Sequence, residues 1–206
     1  ALTGDAADMN TVLTSGGISN LTNPAVTPAD TSLTATVFND LRGNTSGTIN
    51  ATNVTSISGN ADVVQTAVTA SNVTNMGGVN VSISNTHNLT QLKAINEATT
   101  GTITLSNYAV NLTGGSVSDA TTALGGTFGA AYTGNVTITD ETVSAAALKA
   151  LDTLVTGAGV VDATTVTALT GDAADMNTVL TSGGISNLTN PAVTPADTSL
   201  TATVFN

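Results

Sequence analysis

The opening stretch of this chain returns, letter for letter, at its close. Ala1–Asn39 and Ala168–Asn206 both read ALTGDAADMNTVLTSGGISNLTNPAVTPADTSLTATVFN, an offset of 168 − 1 = 167 positions. A single globular domain has no reason to restate its beginning, whereas self-similarity at a fixed period is the mark of solenoids, propellers and arrays. The expected organisation is therefore residues 1–25 as the end of a preceding coil, 26–192 as one full 167-residue repeat of six coils, and 193–206 as the start of the next. On this reading the array continues on both sides.

A finer rhythm lies inside the long one. β-Branched stretches begin at Val26, Val54, Val81, Ala109, Val136, Val166 and Val193, at successive steps of 28, 27, 28, 27, 30 and 27 in the numbering. The spacing predicts coils of about 27 to 28 residues in two alternating types. Each coil opens on a stretch such as Val136–Thr139, which reads as a strand, and a turn residue follows. Next come apolar residues at spacings of three and four, as in Ala145, Ala146, Leu148, Ala150 and Leu151 or Ala173, Ala174, Met176, Val179 and Leu180, which predict a short helix with one buried stripe. Gly-containing turns such as Ser182-Gly183-Gly184 end it, and a second strand such as Thr102–Leu105 leads into the next coil.

Strand, short helix and strand at one rise per coil predict an α/β solenoid with stacked parallel sheets, right-handed by the crossover rule. One conflict is built in, because strands stack at about 4.8 Å and helices pack at about 8 to 10 Å. Curvature, crowding of small side chains, or an irregular arc in place of some helices would each relieve it. The Gly125-Gly126 and Gly129 region is the expected place for such an arc, and a mainly β-solenoid is the alternative fold.

Composition excludes several function classes. Lys and Arg total 3 and the formal net charge is −11, so the phosphate neutralisation that nucleic-acid binding requires is missing. No apolar run reaches the ~18 to 20 residues of a spanning helix, and no membrane insertion is expected. Cysteine is absent, which removes disulfides and thiolate metal sites. Hydrophobic residues make up 40% and charged residues 8%, the reverse of a disordered chain.

Residues that could carry chemistry have structural explanations. Asp30, Asp140, Asp172 and Asp197 fall at helix starts and Asp8, Asp62, Asp119 and Asp175 about three residues further in, where carboxylates cap free N–H groups and suit the helix dipole. His87 stands alone and reads as a surface or capping histidine. Gly157-Ala158-Gly159 lacks the third glycine of a dinucleotide loop and reads as a corner. Asn-x-Ser/Thr sites occur at Asn20, Asn50, Asn53, Asn72, Asn111, Asn135 and Asn187, and several recur at coil corners, as Asn53, Asn80 and Asn135 do, where asparagine tolerates left-handed backbone. Thr-x-Thr patterns at Thr102 and Thr137 are too irregular along the chain for an ice-matching face. No catalytic, cofactor-binding or metal-ligating residue is assigned, and no cofactor is expected.

The motifs VTITD (136–140), SAAALKALD (144–152) and LTGDAADMN (169–177) resemble the Thr/Ala-rich tandem repeats of very large secreted surface or filament proteins of cyanobacteria and other aquatic bacteria. The resemblance spans essentially the whole chain and brings no catalytic residue with it. It implies an extracellular or cell-surface location. The expected function is a structural tandem-repeat segment of a long extracellular filament or stalk, not an enzyme, whose partner is itself through neighbouring repeats. The alternative is the spacer of a giant cell-surface adhesin whose binding tip lies outside this sequence.

Overall fold

Strands form where aliphatic and hydroxyl residues alternate, and the computed structural model describes residues 1–199 of the chain. The remainder of the expected next-repeat start, 200–206, lies outside that description. Two compact units are present. The first comprises Ala1–His87, Ala94–Ser106 and Gly126–Gly129, and the second Asn88–Lys93, Asn107–Gly125 and the chain from Ala130 onward.

In chain order the first unit begins with β1 (Leu2–Gly4), α1 (Ala6–Thr14), β2 (Val26–Pro28), β3 (Ser32–Thr34) and α2 (Ala35–Gly43). There follow β4 (Ile49–Asn50), β5 (Ser56–Gly59), α3 (Ala61–Val68), β6 (Val73–Thr74) and β7 (Asn80–Ile83). Next comes α4 (Leu89–Ala98), which contributes residues to both units, and then β8 (Ile103–Leu105). Its two sheets run β1-β2-β4-β6 and β3-β5-β7-β8.

The second unit holds β9 (Leu112–Gly115), α5 (Val117–Leu124), β10 (Val136–Ile138), β11 (Thr142–Ser144) and α6 (Ala145–Leu154). It continues through β12 (Val161–Asp162), β13 (Ala168–Gly171), α7 (Ala173–Thr181), β14 (Ile185–Ser186) and β15 (Ala192–Pro195). Its sheets run β9-β10-β12-β14 and β11-β13-β15. Every strand pairing among the described residues is parallel.

Register places aliphatic side chains over one another. Leu33, Ile57, Val81 and Ile103 are matched in one sheet of the first unit, and Leu112, Val136, Val161 and Ile185 in one sheet of the second. Ile57, Val81, Ile103, Leu112, Val136 and Val161 are fully buried. Helices add the stripes that the sequence spacing requires: Ala35, Phe38 and Leu41 on α2, and Ala145, Leu148 and Leu151 on α6, all at 0% exposure. The first buried residue of α1, α2, α3 and α6 is alanine, whose small side chain lets the helix start lie close against the neighbouring chain.

Strands and helices keep different periods. Paired strand positions are separated by 22 to 26 in the numbering, as in Val81↔Ile103 (103 − 81 = 22), Leu2↔Val26 (26 − 2 = 24) and Val143↔Leu169 (169 − 143 = 26). Helices start at positions 6, 35 and 61 in the first unit, steps of 29 and 26, and at 117, 145 and 173 in the second, steps of 28 and 28. The interval read from the sequence is thus the helix interval, and the strands pair on a shorter one. Each successive helix therefore starts later relative to the ladder: β1 leads straight into α1, β2 begins well before α2, and β4 follows α2. The same order recurs with β9, β10 and β12 around α5 and α6. Consecutive helices nonetheless pack on one another within each unit, α1 on α2 and α2 on α3 in the first, α5 on α6 and α6 on α7 in the second.

A shift of one coil pair consequently changes sheets. In the first unit Leu2, Val26 and Ile49 correspond to Ile57, Val81 and Ile103, which are 55, 55 and 54 positions on and lie in the other sheet. The structure departs from the sequence reading at two further places. β3 and β11 are extra strands immediately before α2 and α6, where the sequence predicts a plain turn. The glycine-rich stretch after Leu124 does not replace a helix; α5 is intact before it, and the chain beyond makes the isolated bridges Ile103↔Phe128 and Tyr132↔Val155. No described helix is long and apolar enough to cross a membrane.

Candidate functional site

The recurrent polar feature is a set of side-chain staples that tie segments 23 to 24 residues apart. Each helix start leaves backbone N–H groups without intrahelical partners. In α2 and α6 the preceding Thr34 and Ser144 supply the cap, accepting from the Val37 and Ala147 N–H groups at 3.3 and 3.1 Å. The other helix type does something different. Asp30 Oδ2 accepts from Ala6 N at 2.8 Å, Asn85 Oδ1 from Ala61 N at 2.8 Å, Asp140 Oδ2 from Val117 N at 2.7 Å, and Asp197 Oδ2 from Ala173 N at 2.7 Å. Each acceptor lies 23 to 24 residues beyond the helix start it caps.

This corrects the assignment of the acidic residues. Asp30, Asp140 and Asp197 each cap the start of the helix that precedes them in the chain, α1, α5 and α7. Asp172 occupies the N-cap position of α7 and makes no side-chain cap bond, and neither does Asp5 before α1. Asp8, Asp62, Asp119 and Asp175 do lie in first helical turns. Asp119 closes a capping box with Ser116 and accepts from Lys93 Nζ at 2.7 Å. The Lys93 ammonium and the Ser116 bonds hold its carboxyl down at about 2. Lys149 reaches Asp175 on the following helix at 2.8 Å.

Asparagines extend the same scheme. Asn20, Asn75 and Asn187 adopt positive φ near 60°, the left-handed conformation that asparagine tolerates at corners. Asn75 Nδ2 donates to Asn50 Oδ1 and Asn187 Nδ2 to Asp162 Oδ1, one coil back in each case. Asn111 Oδ1 accepts from Asn135 N and Asn135 Oδ1 from Val160 N, a ladder through three coils of the second unit. Buried Thr99 donates to Val79 O at 2.6 Å and accepts from Gly101 N at 2.9 Å, and Thr45 repeats the arrangement with Pro24 O and Gly47 N. Gly101 is required there, since a Cβ would run into Val79 O.

His87 is buried, not on the surface, and burial lowers its pKa. A shallow groove between α5 and α6 is lined by Val117, Thr121, Asp140, Thr142 and Ala147, and its one carboxylate is already bonded to Val117 N. Among the described residues no three His, Cys, Asp or Glu side chains come together. Sequence reading missed the backward direction of the staples. Its signal was the recurrence of Asp30, Asn85, Asp140 and Asp197 at steps of 55, 55 and 57 in the numbering. No protein-family model, curated protein or solved structure matches this chain.

Proposed function

We propose that the chain is a structural tandem-repeat segment of a long extracellular filament or stalk, built as a right-handed α/β solenoid. One observation carries the reading: polar side chains and aliphatic columns alike find their partners one coil away. Asp140 on Val117 N and Val136 on Leu112 are examples. Polar groups committed to neighbouring coils serve cohesion, and repeats whose contacts are nearest-neighbour add length without new chemistry. The acidic surface, with a formal net charge of −11, keeps such a rod soluble and apart from its neighbours.

Electron microscopy of the native material tests this. At the strand register, the long period takes about seven steps, which at ~4.8 Å per step gives an axial repeat of about 34 Å. Six helix-spaced steps would give about 29 Å. Unbranched fibres with the longer repeat are expected. Flexible threads ending in a separate head would replace the filament reading with the spacer of a surface adhesin.

A further inference from the structure

Each coil pair carries a given strand position into a different sheet, in a fixed order. Thr3 pairs with Thr27 in the sheet β1-β2-β4-β6, and Ser58 with Ser82 in β3-β5-β7-β8. Thr113 pairs with Thr137 in β9-β10-β12-β14, and Thr170 with Thr194 in β11-β13-β15. These pairs follow one another at 58 − 3 = 55, 113 − 58 = 55 and 170 − 113 = 57 positions, which together make the 167 of the duplication. The core residue beside each position recurs with it, as Val26, Val81 and Val136 or Ile57, Leu112 and Leu169, all fully buried. Three successive coil pairs thus occupy three different sheets, and the next returns to the residues of the first, β13 repeating β1. Each unit shows one such step by itself, Thr3 to Ser58 within the first and Thr113 to Thr170 within the second. Helices keep the same interval, since α1, α3, α5 and α7 start at 6, 61, 117 and 173, steps of 55, 56 and 56.

The two intervals differ by one turn over the long period. Strand steps of 22 to 26 fill the 167 positions about seven times, whereas six helix steps carry α1 at 6 to α7 at 173. We infer that the row of helices winds once around the coil axis in each 167-residue repeat, with three coil pairs as the three steps of one screw. The winding rests on the coil stacking proposed above. Its consequence is mechanical. Neighbouring helices take about 8 to 10 Å and neighbouring strands about 4.8 Å, so a solenoid with every helix on one side curves, with that side outermost. A helix row that travels around the axis turns this bend through every direction, and the bends cancel within one repeat. Successive repeats then stack into a straight rod.

The chain contains no cysteine, so spin labels on introduced cysteines read the winding in solution. Thr3→Cys, Ser58→Cys, Thr113→Cys and Thr170→Cys are combined two at a time in the full chain, and label distances are measured by electron paramagnetic resonance. The first three positions are exposed and the fourth half-buried. Thr3 and Thr170 are expected about seven strand steps apart along the axis, about 34 Å. A winding row puts the intermediate positions on other sides of the axis. With sheets about 10 Å apart, each of the three steps then spans about 15 Å or more, and their sum exceeds the direct Thr3–Thr170 distance. Helices confined to one side put all four labels on one line, in steps of about 10 Å that add up to the direct distance, and that result overturns the winding. Thr27, Ser82, Thr137 and Thr194 make a second set with the same expected pattern, which guards against a local disturbance at any one cysteine. Wound labels in a chain whose native material forms no fibres keep the winding and remove the filament. Fibres built from a chain with collinear labels keep the filament and remove the winding.

Discussion

Among single residues, the acceptors that cap the preceding helix are the most informative positions. Asp140→Ala leaves Val117 N without its partner at 2.7 Å, and a loss of about 1 to 2 kcal/mol in chemical denaturation is expected. Asp140→Asn costs less, since Asn85 performs the same role for α3 as an amide. Gly101→Ala destabilises by about 1 to 3 kcal/mol, because its Cβ would meet Val79 O, whereas Gly77→Ala meets nothing within 4 Å and serves as the control. Two titrations act in different windows. Asp119 has a lowered pKa when folded, so the stability it contributes is full above 3.8 and is lost as pH falls from there towards about 2. The stability difference between the parent and Asp119→Asn narrows over that window. Buried His87 is also lowered, so the unfolded chain binds its proton first, and stability declines as pH falls below 6.5. In unfolding melts across the range around that value, His87→Gln flattens the slope.

Among elements, the strand ladders bury aliphatic side chains between neighbouring strands. Val26 is fully buried, in register with Leu2 of β1 on one side and Ile49 of β4 on the other. Val26→Ala should therefore cost about 2 kcal/mol in denaturant titrations, from lost transfer energy and the cavity left behind. The helices carry a related lesson. Ala145, Leu148 and Leu151 are legible as a buried stripe because helical spacing is local. β3 and β11 are not, because three residues such as Thr142–Ser144 acquire strand geometry only by pairing with β13, one coil further along the chain.

Across the molecule, backbone bonds among the described residues link successive segments within each unit, and each of the three basic residues bonds to a neighbouring element. Lys93 and Lys149 bind Asp119 and Asp175, and Arg42 donates to Asn39 Oδ1 and Thr66 O. Cleavage by trypsin requires local opening of such segments, so the native chain should resist it for hours at protease concentrations that digest the urea-unfolded chain in minutes. Rapid native cleavage after Arg42, read by mass spectrometry, would show that α2 opens independently of its neighbours.

Everything that repeats within a window of the chain is specified before any contact forms: the long offset, the helix interval, and the α/β character with parallel strands. Which residues meet across coils is specified only on folding. The strand register, shorter than the helix interval, depends on how far the chain travels around one turn before it pairs. A linear period cannot report that distance when strands and helices drift against each other. For the same reason Asp30, Asp140 and Asp197 are recognisable as caps from their residue type, but only the fold shows that each serves the helix that precedes it. Local chemistry specified the acceptor, and packing chose the donor.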